Sequence, residues 1–184
     1  MRITQSTKDA DLHDILKLQK QNLKNALSHD EAMREGFITV PHTFGVLAAM
    51  NEPFPHTIAR DGETLAGYAM TMETSLRNAI PVLVPMFEQI DACIVDGKPL
   101  SEVNYFVMGQ VCIAKGYRGQ GLFAKMYDDL CQRLSIQYDY IATEIAADNL
   151  RSQKAHAKYG FETLSRYEAD GVVWLVVGKW LSGL

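Results

Sequence analysis

At 184 residues, 47% hydrophobic and 22% charged, the chain has the length and apolar content of one globular domain spanning residues 1–184. Its formal charge of -4 argues against nucleic acid or an anionic membrane as the main partner, since both reward a clustered excess of Lys and Arg; a cationic small substrate suits it better. No stretch runs 18 apolar residues without a charge and the N-terminus lacks an apolar h-region, so the expected location is the cytoplasm.

In chain order, Arg2 to Gln5 reads as a short strand, and Ser6 or Thr7 is placed to cap a helix. On that helix Leu12, Ile15, Leu16, Leu23 and Leu27 recur at helical spacing, and it should end near Ser28. Residues 36–51, GFITVPHTFGVLAAMN, turn at Pro41 and then run apolar as a second helix. PHTIARDGETLAGYAMTM reads as a hairpin about Asp61-Gly62, its second strand ending near Met72. Residues 75–100 mix Pro81 and Pro85 with an amphipathic pattern and are expected as a helical insertion.

From Tyr105 the pattern sharpens. NYFVMGQVCIA is a β-rich apolar run, and the next helix carries Leu122, Met126, Tyr127, Leu130 and Leu134 on one face. YDYIATEI is another strand. DNLRSQKAHAKYG is a helix opened by Asp148 or Asn149 and stopped by Gly160, and a hairpin about Asp170-Gly171 closes the chain. Cys93, Cys112 and Cys131 sit singly in apolar surroundings without C-x-x-C spacing, so neither a disulfide framework nor a metal site can be argued, and a reducing compartment suits them.

The chemistry concentrates in KGYRGQGLFAKM, residues 115–126, where a Gly-rich turn follows a strand and opens a helix. A helix N-terminus presents unpaired N–H groups and about half a positive charge, so glycines there let an anion reach several donors at once, and phosphate is the natural guest. Lys115, Arg118 and Lys125 add charge around the same turn. The Walker A pattern fails, because no Gly-Lys-Ser or Gly-Lys-Thr follows the glycines. The dinucleotide pattern G-x-G-x-x-A matches Gly119, Gly121 and Ala124, with Glu144 as a conceivable ribose ligand, but too little chain follows to complete a doubly wound sheet. Arg-x-x-Gly-x-(Gly or Ala) is met by Arg118 to Leu122 and departs at Phe123.

With the strand ending VCIAKGY, the RGQG turn and its helix, a further strand and NLRSQKAHAKYGF in that order, the sequence resembles the GNAT superfamily of acyl-CoA-dependent N-acetyltransferases over residues 105–161. The resemblance implies an α/β (α+β) fold with a mixed, mostly antiparallel central sheet, split where two parallel strands diverge, and helices on both faces. It implies acetyl-CoA or coenzyme A as cofactor. Its diphosphate would be held by main-chain amides of Arg118, Gly119, Gln120, Gly121, Leu122 and Phe123, and its pantetheine arm by main chain at Val111, Cys112 and Ile113. Phe123 replaces a usual small residue and should turn toward the core beside Leu122 or reshape the wall. Asn149 and Ser152 match polar positions that contact the CoA arm, and share a helical stripe with His156.

For catalysis, His156 stands where many members have a tyrosine that protonates the departing thiolate; the alternative is a histidine that packs near the cofactor and bonds a backbone carbonyl. Tyr159 is the other candidate acid. An alkyl amine arrives protonated and needs a base, for which Glu144 and Glu73, both near strand ends, are the candidates. The acceptor wall is expected from GFITVPHTF and residues 75–100, with His42, His56, Tyr68 and Tyr105 as possible lining. The expected activity is transfer of acetyl from acetyl-CoA to a small-molecule primary amine, by direct attack in a ternary complex. A CoA-binding sensor without chemistry and a NAD(P)-binding protein are the alternatives, and a homodimer stays open beside a monomer.

Overall fold

β1 (Arg2–Gln5) opens the chain as the edge strand of a seven-stranded sheet. The computed structural model describes residues 1–79 and 83–181, so residues 80–82 of the expected insertion and the last three residues lie outside the description. α1 (Asp9–Gln21) follows, but neither Ser6 nor Thr7 supplies a capping side chain. Asp11 holds the end from inside the first turn, its carboxylate accepting from the Thr7 and Lys8 amides at 3.1 Å, where the helix dipole favours an anion. Ser6 instead donates to Asn51.

α1 stops at Gln21, seven residues short of the expected end at Ser28. Asn22 Nδ2 returns to the Leu18 carbonyl at 2.9 Å, and the main chain then pairs with Ile38: Ile38 N donates to Asn22 O at 2.8 Å and Lys24 N to Ile38 O at 2.9 Å. That pairing draws Leu23 and Leu27 off the helical stripe. Ser28 caps a separate helix, α2 (His29–Glu35), by accepting from the Glu31 amide at 3.2 Å. α3 (Phe44–Asn51) is capped by Thr43.

β2 (Thr57–Asp61) and β3 (Thr64–Met72) form the expected hairpin. The insertion holds α4 (Val84–Asp91) and a small hairpin of β4 (Ile94–Val95) and β5 (Lys98–Pro99), whose two-residue strands are too short to carry an alternation signal. β6 (Tyr105–Ile113), α5 (Leu122–Leu134), β7 (Tyr140–Ala146), α6 (Leu150–Tyr159), β8 (Glu162–Ala169) and β9 (Val172–Trp180) follow the sequence pattern.

The sheet order is β1-β2-β3-β6-β7-β9-β8, and β6–β7 is its parallel pair, the other neighbours running antiparallel. Alternation places Tyr105, Val107, Tyr140 and Ala142 against one core with Ile15, Leu47 and Phe87 of α1, α3 and α4. Phe106, Met108 and Ile141 face the other core, closed by Met126, Tyr127 and Leu130 of α5.

Two irregularities make a cleft. β6 and β7 pair only from Tyr105–Tyr140 to Val107–Ala142, and beyond that they diverge. At the fork Thr143 Oγ1 donates to the Met108 carbonyl at 2.8 Å. The β3–β6 register shifts where Met70 faces Gln110 and Thr71 faces Met108, which leaves Gly109 as a bulge that bends β6 at the opening.

Candidate functional site

The open edge of β6 leads into the Gly-rich turn. After Ala114 N donates to Ala66 O at 2.9 Å, a 3-10 turn over Lys115–Tyr117 lifts the chain off the sheet, and Gly119 (φ 76°) and Gly121 (φ 75°) adopt the left-handed region. Among the described residues the main-chain nitrogens from Gly119 to Ala124 donate to no protein acceptor. A Cβ at Gly119 or Gly121 would meet nothing within 4 Å, and both glycines line an open cavity. A row of free N–H groups on a helix N-terminus with room before it is a cradle for a multiply charged anion.

Arg118 does not extend that row. Its amide points back to the Lys115 carbonyl, at 3.5 Å. Its guanidinium folds inward, donating to Ile113 O at 3.0 Å, Glu35 at 2.9 Å and Asn22 Oδ1 at 2.7 Å, with 13% of the side chain exposed. The motif arginine therefore staples the turn to α2 and the end of α1. Gln120 turns outward and closes the turn by donating to Gly116 O at 3.2 Å.

Val111, Cys112, Ile113, Gly119, Gly121, Leu122 and Phe123 line a cavity of about 310 Å³, completed by Asn149 and Ser152 of the α6 entry. Phe123 meets both alternatives offered for it: its ring stacks on Tyr127 at 4.5 Å and its edge still lines the cavity. Burial pushes the Cys112 thiol up to about 12, which suits packing rather than nucleophilic work. Asn149 is engaged at both ends of its amide, accepting from Ser152 N at 3.2 Å and donating to Phe37 O at 3.0 Å, so it builds the wall as the cap of α6.

A second cavity of about 580 Å³ lies on the other side of the fork. Phe37, Ile38, Val111, Asn149 and Ser152 line both, so the two form one passage between β6 and β7. Glu144 of β7 faces the second cavity. Burial pushes its carboxyl up to about 7, against the opposing effect of the Tyr167 hydroxyl, which donates to it at 2.5 Å.

The other expected catalytic groups are placed differently. His156 lines the second cavity but is fully engaged: its Nδ1 lies 2.8 Å from the Ser152 carbonyl, which assigns the proton there, and its Nε2 lies 2.7 Å from the Tyr127 hydroxyl. Burial pushes the ring down to about 4, so it is neutral and has no proton free for a leaving group. Its contacts are those of the carbonyl-bonding alternative. Tyr159 points away from the passage and donates to Asp128 at 2.7 Å. Glu73 is held by the Tyr138 hydroxyl at 2.6 Å and by Ser75, outside both cavities.

Residues 37–42 line the second cavity, as do Leu83, Pro85 and Met86 of the insertion. His42 belongs to that lining; Tyr68 is buried in β3, His56 is buried just before β2 between Leu47 O and Thr71 N, and Tyr105 donates to Asp91 at 2.6 Å. Sequence reasoning missed Tyr167 and Gln110. Gln110 Nε2 donates to Val40 O at 2.9 Å, tying the 37–42 segment to β6, while its Oε1 accepts from Tyr68 and Gln19. Alternation alone put Gln110 in an apolar strand; only the bulge shows why a polar residue sits there. Tyr167 is found through register: it pairs with Trp174, which pairs with Ala146, two residues from Glu144 and on the same face.

Comparison with known proteins agrees with this geometry. The model of the acetyltransferase (GNAT) family matches residues 11–161. The ribosomal-protein-S18-alanine N-acetyltransferase of Escherichia coli superposes with a TM-score of 0.63 at 12% identity, covering 100% of this chain and 95% of that one. The protein yncA of Salmonella typhimurium, solved with its cofactor acetyl-CoA, gives 0.63 at 14% identity with the same coverage. Smu.2055 of Streptococcus mutans gives 0.66 at 13%, covering 99% of this chain and 100% of that one. At such identities the structures establish a shared fold. Sequence comparison with proteins of curated function gives no match.

Proposed function

The chain belongs to the acetyltransferase (GNAT) family, and from that premise we propose that it transfers the acetyl group of acetyl-CoA to a primary amine of a small molecule, by direct attack in a ternary complex. The observation that carries this reading is the single passage with free amides of Gly119 to Ala124 at one end and the Glu144 carboxyl at the other.

Acetyl-CoA supplies a thioester acetyl group, already activated toward an amine. The turn fits its diphosphate: the donors are unpaired, the two glycines are left-handed, and both border the cavity. Val111 to Ile113 would hold the pantetheine arm along the unpaired edge of β6.

Glu144 removes the proton that keeps the amine from attacking. Transfer from an ammonium of pKa about 10.4 to an ordinary glutamate near 4.3 is uphill by about 8 kcal/mol. With Glu144 at about 7 the gap narrows to about 5 kcal/mol. The departing thiolate, with a pKa of about 8.5 by analogy with cysteine, leaves tolerably without an acid, which accords with a neutral His156.

The CoA-sensor reading draws support from that same absence of a free proton donor at His156. The NAD(P) reading loses its sheet, since β6–β7 is the one parallel neighbour pair in the seven-stranded sheet. No helix among the described residues is long and apolar enough to cross a membrane, and three free buried cysteines suit the cytoplasm. Thermal shifts with acetyl-CoA, CoA, NAD and NADP, followed by thiol release across amines, test the reading. Stabilisation by CoA species with turnover supports it; stabilisation by NAD(P) alone contradicts it.

A further inference from the structure

The two halves of the passage carry opposite charge. Arg118, Arg151 and Lys158 line the cavity at the Gly-rich turn, against a single acid, Glu35, which pairs with Arg118 and Arg151. Among the described residues lining the second cavity there is no Lys or Arg, and its acidic groups are Glu144 in the wall and Asp170 at the rim. The rest of that wall is largely apolar, with Met72, Leu83, Met86, Met108, Val172 and Trp174 drawn from strands and the insertion.

The polar side chains within the cavity are already engaged with protein. Gln110 serves Val40, Tyr68 and Gln19. Thr143 donates to Met108 O, His42 Nδ1 lies 2.9 Å from Gln19, and Tyr167 donates to Glu144. His156 serves the Ser152 carbonyl and the Tyr127 hydroxyl, and Ser152 Oγ lies 3.3 Å from its Nδ1. Among the described lining residues, Thr39 and Asp170 at the solvent-exposed rim and the Nε2 of His42 stand apart from such bonds. A guest rich in hydroxyls or peptide groups would lose its water and find few partners, whereas an apolar body loses nothing by entering.

Resting on the acetyl-transfer reading, we propose that the acceptor is a small primary amine carried on an apolar body, such as a single aromatic ring or branched chain, its ammonium held by Glu144 and its body by the Met and Trp174 wall. Polyamines, aminoglycosides and peptides are disfavoured by the same wall. A cavity of about 580 Å³ suits a guest of this size beside the thioester.

The test uses the full chain with 2-phenylethylamine, isoamylamine, spermidine, kanamycin and a lysine peptide. Thiol release with acetyl-CoA gives kcat/KM, and quenching of Trp fluorescence with CoA present gives amine binding without chemistry. The expected result is a kcat/KM at least about tenfold higher for the two apolar amines. Met86→Lys, at a partly exposed position, should raise the KM for 2-phenylethylamine about tenfold while keeping the thermal shift from acetyl-CoA. Preference for spermidine, kanamycin or the peptide overturns the inference and leaves acetyl transfer standing. Quenching by 2-phenylethylamine without thiol release from any amine keeps an apolar amine as the cavity's guest but overturns acetyl transfer, and with it the guest's role as acceptor. Neither quenching nor turnover by the apolar amines overturns the inference.

Discussion

Tyr167 on β8 donates its hydroxyl to the Glu144 carboxylate on β7, reaching across β9, which lies between them in the sheet. The bond favours the ionised form of a carboxyl that burial otherwise pushes up to about 7. Glu144 must be ionised to accept a proton, so kcat should rise with pH through an inflection near 7. Tyr167→Phe removes the stabilising donor and should move that inflection to higher pH. A kcat profile from pH 5.5 to 9 for both forms checks the direction.

Glu144→Gln keeps the shape of the wall and removes the proposed base. We expect kcat to fall by about 10² to 10⁴, with the acetyl-CoA thermal shift unchanged because Glu144 lies outside the cavity at the Gly-rich turn. A parallel loss of cofactor binding would instead make Glu144 part of the fold's support.

Arg118 braces the turn through the Ile113 carbonyl, the Glu35 carboxylate and Asn22. Arg118→Ala should cost about 2–3 kcal/mol of stability, since it strips charged and neutral partners at once. Arg118→Lys should recover less than half of that, as one ammonium cannot span three acceptors in fixed directions. Urea unfolding without cofactor reads the effect; equal stability of all three forms would contradict it.

His156→Gln should lower stability by about 1–3 kcal/mol, because Tyr127 and Ser152 lose a partner in the interior. The pH profile of kcat should keep its shape. If the high-pH side changes, His156 handles a proton after all.

Stability itself should fall in acid. Burial holds His42, His56 and His156 at about 4, below the ordinary 6.5, so the unfolded chain binds more protons between those values. Folding stability therefore rises with pH from about 4 to 6.5, by up to about 1.4 kcal/mol per pH unit for each histidine. Glu144, raised from 4.5 to about 7, acts in the opposite sense, since the folded state then holds the extra proton. Three groups outweigh one, and urea midpoints measured at pH 4.5, 5.5 and 6.5 should increase in that order.

Much of this molecule was legible in its residues, and the reasons for the misses are physical. The strand, turn and helix around Arg118-Gly119-Gln120-Gly121 could be read because left-handed glycines at a helix start leave a local mark. Glu144 could be singled out by strand-end placement, but its partner Tyr167 could not, since their meeting depends on the register of three strands. The break after Gln21 was hidden because Leu23 and Leu27 continue the helical spacing, while the pairing with Ile38 that ends α1 is nonlocal. Tyr159 and Glu73 lie outside both cavities for one reason: a helix or strand end fixes a backbone position, and hydrogen bonds to Asp128 and Tyr138 then decide where the side chain goes.

The claim that all else depends on is that the amides from Gly119 to Ala124 bind the diphosphate of CoA. Titrating CoA into the ¹⁵N-labelled protein tests it residue by residue. The account predicts large, saturable shifts of the Gly119, Gly121, Leu122 and Phe123 amide resonances, stronger than those elsewhere on α5. Amides in this run that stay in place while CoA saturates the protein would contradict it.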